Sequence, residues 1–171
     1  VFRDKGGAWA SDFELRQRLD VDNSASLYER LGIVDPHSAR LLDVGAGPMT
    51  LLMSTHAGRP IDLTAVDPLA PFYSNIAKRY GVVPPVETMQ GFAEDLTSIF
   101  DHDEFDAVHC RNALDHSFDP LRGIDEMLAI TKLSGRVLLL HNRNEAEREE
   151  YSGFHQWNFD EADGHFIVWN K

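Results

Sequence analysis

The residues with the strongest chemical suggestion lie in Leu41-Leu42-Asp43-Val44-Gly45-Ala46-Gly47-Pro48-Met49-Thr50, where an apolar run feeds a glycine turn that opens a helix-compatible stretch. Glycines at 45 and 47 leave the backbone uncovered, so a ligand can approach where a Cβ would collide. A Gly-x-Gly pair on its own also suits an ordinary tight turn. Asp67 adds weight to the ligand reading. It closes a second alternating run, residues 61–66, twenty positions after Gly47, where a carboxylate can accept hydrogen bonds from both hydroxyls of a ribose. The pair favours a ligand containing a nucleoside.

Asp43 discriminates among such ligands. In a dinucleotide site the pyrophosphate lies by the turn, and a neighbouring carboxylate would repel it. A cationic amino-acid end would be attracted instead. S-adenosylmethionine brings an ammonium and a sulfonium and no phosphate. Asp43 also sits inside an apolar strand, where an unpaired charge is expensive.

Of eight histidines, three are candidates for acid–base work. His116 and His141 follow the carboxyl ends of predicted strands, where ligands bind in open α/β sheets. His155 lies in Tyr151-Ser152-Gly153-Phe154-His155-Gln156-Trp157-Asn158, which gathers hydrogen-bonding groups around aromatic faces and suits a polar, ring-shaped acceptor such as a sugar. The same segment also reads as a plug whose Phe154, Trp157 and Phe159 join the core. Asn112, Asp115 and His116 offer oxygen and imidazole on one short loop, but asparagine is a poor substitute for a carboxylate, so no metal is expected.

The elements around these residues alternate. Residues 40–44, 61–66, 86–89, 105–110, 136–141 and 165–169 read as strands, and residues 48–56, 69–80 and 120–131 as helices between them. Asp119-Pro120 is a helix start and Gly81 a helix stop. Val137-Leu138-Leu139-Leu140 is apolar on both faces, as a buried parallel strand requires. The expected fold is therefore α/β, a Rossmann-like, doubly wound, mostly parallel sheet with helices on both faces. One domain is expected over residues 1–171. Residues 1–38 form a helical cap with Phe13, Leu15, Leu19, Leu27 and Leu31 on its apolar face, residues 39–141 a cofactor-binding core, and residues 142–171 an acceptor-side segment with the sixth strand.

At this point Leu42-Asp43-Val44-Gly45-Ala46-Gly47 resembles motif I of class I S-adenosylmethionine-dependent methyltransferases of the type 11 kind. Ala65-Val66-Asp67-Pro68 resembles their acidic second motif, and Gly91-Phe92-Ala93-Glu94-Asp95-Leu96 the stretch that lines adenine. Phe105-Asp106-Ala107-Val108 through Asn112-Ala113-Leu114-Asp115-His116 resembles the fourth strand and its following segment, and Leu133-Ser134-Gly135-Arg136 the approach to strand five. The resemblance spans residues 39 to 141. It implies that Asp43, Gly45, Ala46 and Gly47 hold the methionine end, Asp67 the ribose, and Pro68 and Leu69 the adenine side. Phe92, Ala93 and Glu94 would read the adenine, and Cys110, Arg111 and Asn112 would flank the methionine end. Pro48 departs from the usual Thr or Ser, and Phe92 from the usual Asp. The family usually ends in an antiparallel sixth and seventh strand, so a last strand is expected to be missing, with a longer native chain or a homodimer partner covering the edge.

Composition sets the outer limits. With 28 acidic and 16 basic residues the net charge is −12, and 9 basic against 20 acidic side chains lie beyond residue 60. Such a surface repels phosphate backbones and anionic lipid, so neither nucleic acid nor membrane is an expected partner. Cys110 stands alone, which excludes an intramolecular disulfide and suits a cytoplasmic setting; the start Val1-Phe2-Arg3-Asp4 lacks a signal peptide's apolar segment. The expected activity is methyl transfer from S-adenosylmethionine, leaving S-adenosylhomocysteine, to a small polar acceptor, most simply a hydroxyl. The rival readings are a cofactor-binding module without catalysis and a nicotinamide-dependent oxidoreductase.

Overall fold

The computed structural model describes residues 10–18, 25–52 and 54–171, which leaves Leu19 and the first nine residues outside the described part. Two short helices, α1 (Ala10–Arg16) and α2 (Ala25–Leu31), precede strand β1 (Arg40–Val44). A hairpin of β2 (Thr55–His56) and β3 (Arg59–Pro60) leads to β4 (Asp62–Val66), helix α3 (Ala70–Tyr80) and β5 (Thr88–Met89). Then come β6 (Phe105–Arg111), α4 (Pro120–Ile130), β7 (Thr131–Leu140), the single turn α5 (Glu145–Arg148), β8 (Asn158–Ala162) and β9 (His165–Trp169).

The main sheet has the order β5-β4-β1-β6-β7, and its four neighbouring pairs are all parallel. From β1 the chain winds outward to β4 and β5, then returns across to β6 and β7. Strand order therefore reverses between β1 and β6, and a crevice opens at their carboxyl ends. Successive residues of β1 and β6 face opposite sides. Leu42, Val44, Val108 and Cys110 meet Met127 and Ile130 of α4 on one face. Leu41 and Ala107 meet Tyr28 and Leu31 of α2 on the other. The doubly wound sheet expected from the sequence is present.

Helix α4 starts as its sequence dictates: Asp119 accepts the Arg122 N–H at 3.1 Å, with Pro120 in the first turn. Helix α3 stops at Gly81, whose φ of +65° suits a residue without Cβ.

Three expectations need correction. Residues 48–56 form turns and the β2–β3 hairpin, not a helix. Thr50 explains part of this: its hydroxyl donates to Asp43 and accepts the Leu52 N–H, an alternative to helical bonding that short polar side chains offer. Strand β7 begins at Thr131, directly after α4, pairs with Phe105, and skips to Ala107↔Arg136, so that residues 132–135 bulge out. Residues 165–169 are indeed a strand, but β9 pairs antiparallel with β8 in a separate two-stranded sheet. That hairpin is attached through buried Phe159, which joins the core beside α4 and β6.

Candidate active site

The glycine turn is stitched to the tip of β4. Gly45 and Ala46 donate their N–H groups to the Val66 carbonyl at 2.9 and 3.1 Å. Gly47 donates to Asp67 Oδ2 at 3.0 Å, and Leu69 to Oδ1 at 2.8 Å. Burial pushes the Asp67 carboxyl up, against the two backbone N–H bonds that pull it down. Tyr73 stands beside it, its hydroxyl pushed up to about 12 by burial and then by the Asp67 charge. Gly45 and Gly47 both have left-handed φ, +68° and +65°. Their surroundings differ: a Cβ on Gly45 would lie 2.2 Å from the Ala113 Cβ, whereas one on Gly47 would meet nothing within 4 Å among the described residues. Gly45 is required by the protein's own packing, and Gly47 leaves open space.

A cavity of about 620 Å³ opens at the carboxyl ends of β1, β4 and β6. Val44, Gly45 and Cys110 border it from the sheet, Asp67, Pro68 and Leu69 from the end of β4, and Phe92, Ala93 and Glu94 from the stretch after β5. Burial pushes the Cys110 thiol far up, so it is an inert wall. Phe92 and Phe118 stand 6.4 Å apart at 32°, and Phe72 is 65% exposed on the rim. These rings offer apolar faces to a flat ligand. Glu94 Oε1 is engaged by the N–H groups of Phe118 at 2.6 Å and Asp119 at 3.2 Å, which ties the loop after β6 to the cavity wall.

Asp43 turns away from this cavity. It is 3% exposed, sits 2.7 Å from His109 Nδ1 through Oδ1, and accepts the Thr50 hydroxyl at 2.5 Å through Oδ2. His109 is its register partner on β6 and is fully buried. Ala46 is also buried, and only its backbone belongs to the turn. Arg111 and Asn112 border a second cavity on the far side of the β6 tip, together with His141.

Two of the three histidine candidates converge. Asp115, 2% exposed, accepts from His155 Nδ1 at 2.7 Å and lies 3.2 Å from His116 Nε2, while the two imidazoles stand 3.1 Å apart. Burial would raise the Asp115 carboxyl, but hydrogen bonds from both rings outweigh it and hold it below the usual carboxylate range. The hydrogen bond that His116 donates to Asp115 raises it above an ordinary histidine. His116, Phe154 and Gln156 border the 620 Å³ cavity. The ligand atoms of Asp115, His116 and His155 lie within 4.8 Å of one another. His155 thus takes the place that Asn112 had in the ligand set considered from sequence. The 2.7 Å separation of Asp115 and His155 is that of a proton-sharing pair, shorter than the spacing of two ligands around one tetrahedral ion.

His141 is separate. Its ring stacks on Phe159 at 4.8 Å, neither nitrogen has a partner among the described residues, and burial lowers it to about 4. Much of the aromatic segment is structural. Trp157 donates to the Ser117 carbonyl, Asn158 donates to the Tyr151 hydroxyl and accepts the Glu147 N–H, and the backbone N–H groups of Gln156 and Trp157 both reach the Asp115 carbonyl. Only Phe154, His155 and Gln156 remain near the cavity side.

The family model for a methyltransferase domain matches residues 42–139. The chain belongs to this family. The "Uncharacterized methyltransferase YcgJ" of Bacillus subtilis is 34% identical over 103 residues, 59% of this chain and 40% of that protein. The chain thus spans two fifths of that curated relative. Among solved structures, a putative methyltransferase in complex with the Haloferax volcanii Trm112 activator matches with a TM-score of 0.56 at 16% identity, over 94% of this chain and 77% of that one. The trans-methyltransferase CalH, solved with SAH, matches with a TM-score of 0.51 at 17% identity, over 66% of this chain and 34% of that one. At these identities the structures share the fold.

The family's methyl donor is S-adenosylmethionine. Among the described residues the flank of Gly47 is open, Asp67 borders the cavity beside it, and Phe92 and Phe118 stand on its wall. The cavity's volume falls within the ~300–1,000 Å³ typical of small-molecule sites.

Three residues of the methyltransferase site escape sequence reasoning. His109 looks like one more member of an apolar strand, yet a charged Asp43 in the neighbouring strand requires a buried partner. Thr50 is hidden in an apparent helix. Asp115 as the hub of two histidines depends on a contact spanning 40 positions, which no local pattern reveals.

Proposed function

We propose that this methyltransferase domain transfers a methyl group from S-adenosylmethionine to a hydroxyl of a small polar acceptor. The observation that carries the reading is Asp67 at the mouth of the 620 Å³ cavity, locked by the Gly47 and Leu69 N–H groups beside the open glycine flank. When bound, the sulfonium supplies the activated methyl group.

The chain's own residues supply orientation and proton handling. Asp67 holds the ribose, and Pro68, Leu69, Phe92, Ala93 and Glu94 enclose the adenine. Gly45, Ala46 and Gly47 shape the floor of the methionine end, with Asp43 contributing negative charge from behind the turn, and Cys110 walls that end from β6. Excluding water and fixing the acceptor in line provide most of the rate gain. His116 is the base for the acceptor hydroxyl, since its raised affinity for protons suits work near neutral pH. His155 and Asp115 behind it disperse the proton's charge. His141, pushed down to about 4, is too weak a base for this role. A cytoplasmic setting belongs to the same proposal, supported by the single cysteine.

Calorimetric titration with S-adenosylhomocysteine tests the core of the proposal. The parent protein is expected to bind, and Asp67→Ala to bind about tenfold more weakly or worse, as loss of charge-assisted hydrogen bonds implies. Absence of binding by the parent, or equal affinity of the variant, overturns it.

A further inference from the structure

The second cavity, about 520 Å³, lies beneath α1 and α2 at the carboxyl ends of β6 and β7. Among the described residues it is lined by Arg16, Arg30 and Arg111, with His141, Asn112 and Asn142, and by no carboxylate. In a chain with 28 acidic against 16 basic side chains, that lining is the reverse of the average surface. Four other cationic side chains illustrate the usual outcome. Arg40 pairs with Glu104, Lys132 with Asp106, Arg143 with Asp160 and Arg148 with Glu145. Arg30 and Arg111 have no carboxylate within salt-bridge reach among the described residues. Gathering guanidinium groups around one concavity costs mutual repulsion, and an oxyanion offsets that cost through forked, charge-assisted hydrogen bonds.

We infer that this cavity binds the anionic end of the acceptor, a carboxylate or a phosphate, through Arg30 and Arg111. The inference rests on the methyl-transfer reading above for what the ligand is, and on the cavity alone for its charge. The two cavities share a wall. Cys110 and Ala113 border the cofactor side, and Arg111 and Asn112 between them border the arginine side. Asn112 makes this alternation possible with a left-handed φ of +47°, its N–H bonded to Leu140 and its Oδ1 to the Asn142 N–H. An acceptor anchored by its anion under α2 therefore presents its far end to the β6 tip, next to the cofactor cavity. Leu15, Leu27, Leu51 and Leu139 supply apolar wall for the body between.

The test is equilibrium titration of the whole chain with inorganic phosphate and, separately, with succinate, followed by NMR or thermal shift, alongside titration with S-adenosylhomocysteine. Saturable millimolar binding of at least one anion is expected, and the tighter of the two assigns the oxyanion. Arg30→Gln is expected to weaken it about tenfold, Arg30→Lys less, and neither to change S-adenosylhomocysteine affinity, which also reports that the variants are folded. A parent protein that binds S-adenosylhomocysteine but neither anion overturns the inference, as does equal anion binding by folded Arg30→Gln. A parent that binds the anions but not S-adenosylhomocysteine supports the anion site and overturns the proposed function instead.

Discussion

Gly45→Ala is the sharpest perturbation available in the turn, because the structure separates its two costs. An alanine at φ +68° pays roughly 1–2 kcal/mol for the left-handed conformation. Its Cβ would also lie 2.2 Å from the Cβ of Ala113, well inside the ~3.5–4.0 Å at which carbon atoms make favourable contact. Neither side yields easily. The Gly45 N–H is bonded to Val66 at 2.9 Å, and Asn112, beside Ala113, is bonded to Leu140 at 3.0 Å. Overpacking of this kind costs roughly 1–3 kcal/mol, so the variant should lose about 2–5 kcal/mol in all. Ala113→Gly removes the overlapping atom and leaves φ untouched. In a double-mutant cycle the two changes should therefore couple favourably by about 1–3 kcal/mol. Urea denaturation of the four proteins, followed by tryptophan fluorescence, measures this. Gly47→Ala is the control: at φ +65° with nothing within 4 Å among the described residues, it should carry the left-handed cost alone, and Ala113→Gly should not rescue it. Additivity within about 0.5 kcal/mol for the 45/113 pair would refute the claim that protein packing explains Gly45.

Three further outcomes follow from the titratable groups. Because His141 is depressed to about 4 when folded, its neutral ring contributes stability above the unfolded value near 6.5, lost as pH falls toward 4. His141→Phe should be within about 1.5 kcal/mol of the parent at neutral pH and lose less stability on acidification to about pH 5; parallel losses in urea midpoints would contradict this. His116 is raised by Asp115, so the stability from that pair is complete below the unfolded histidine value and disappears as pH rises through the raised one. An NMR titration should find His116 above 6.5 in the parent and lower in Asp115→Asn, and an unchanged midpoint would count against the cluster. Asp43→Ala leaves the buried His109 ring N–H and the Thr50 hydroxyl without their acceptor and should cost about 1–3 kcal/mol, while weakening S-adenosylhomocysteine less than Asp67→Ala does; the opposite ranking would put Asp43 in direct contact with the ligand.

Much of the sheet was legible because each strand announces itself locally. Leu41 to Val44 and Val137 to Leu140 are apolar on both faces, Asp119-Pro120 starts a helix by its own chemistry, and Gly81 ends one. Asp67 could be read from its distance to the glycine turn, since in this fold the turn and the next strand tip are joined by a short, constrained connection. What was not legible depends on partners distant in sequence. Residues 48–56 carry no strong helix breaker beyond Pro48, and the buried Asp43, which captures Thr50, helps divert them into turns. The β8–β9 hairpin is held to the core through Phe159 and leaves the main sheet without a sixth strand among the described residues, a separation invisible to a pattern of alternating residues. His155 and Asp115 meet across 40 positions.

The burial of Asp43 bears on how its carboxylate can act on the cavity. Sequence logic had its carboxylate greeting the ligand's cationic end directly. In the structure that carboxylate is 3% exposed and engaged by His109 and Thr50, so in the proposed function the directional contacts fall to the turn and to Asp67. A buried carboxylate still contributes field at a distance, screened less than an exposed one. Across the wall formed by residues 110–113 the polarity is the opposite, with arginines and no acid in the lining among the described residues. A cationic donor on the Asp43 and Asp67 side and an anionic acceptor on the arginine side would each be drawn to its own cavity and repelled from the other. The same four residues that separate the cavities would thereby sort the two ligands by charge. That sorting is an advantage for a reaction whose two partners must occupy adjoining pockets in one orientation only.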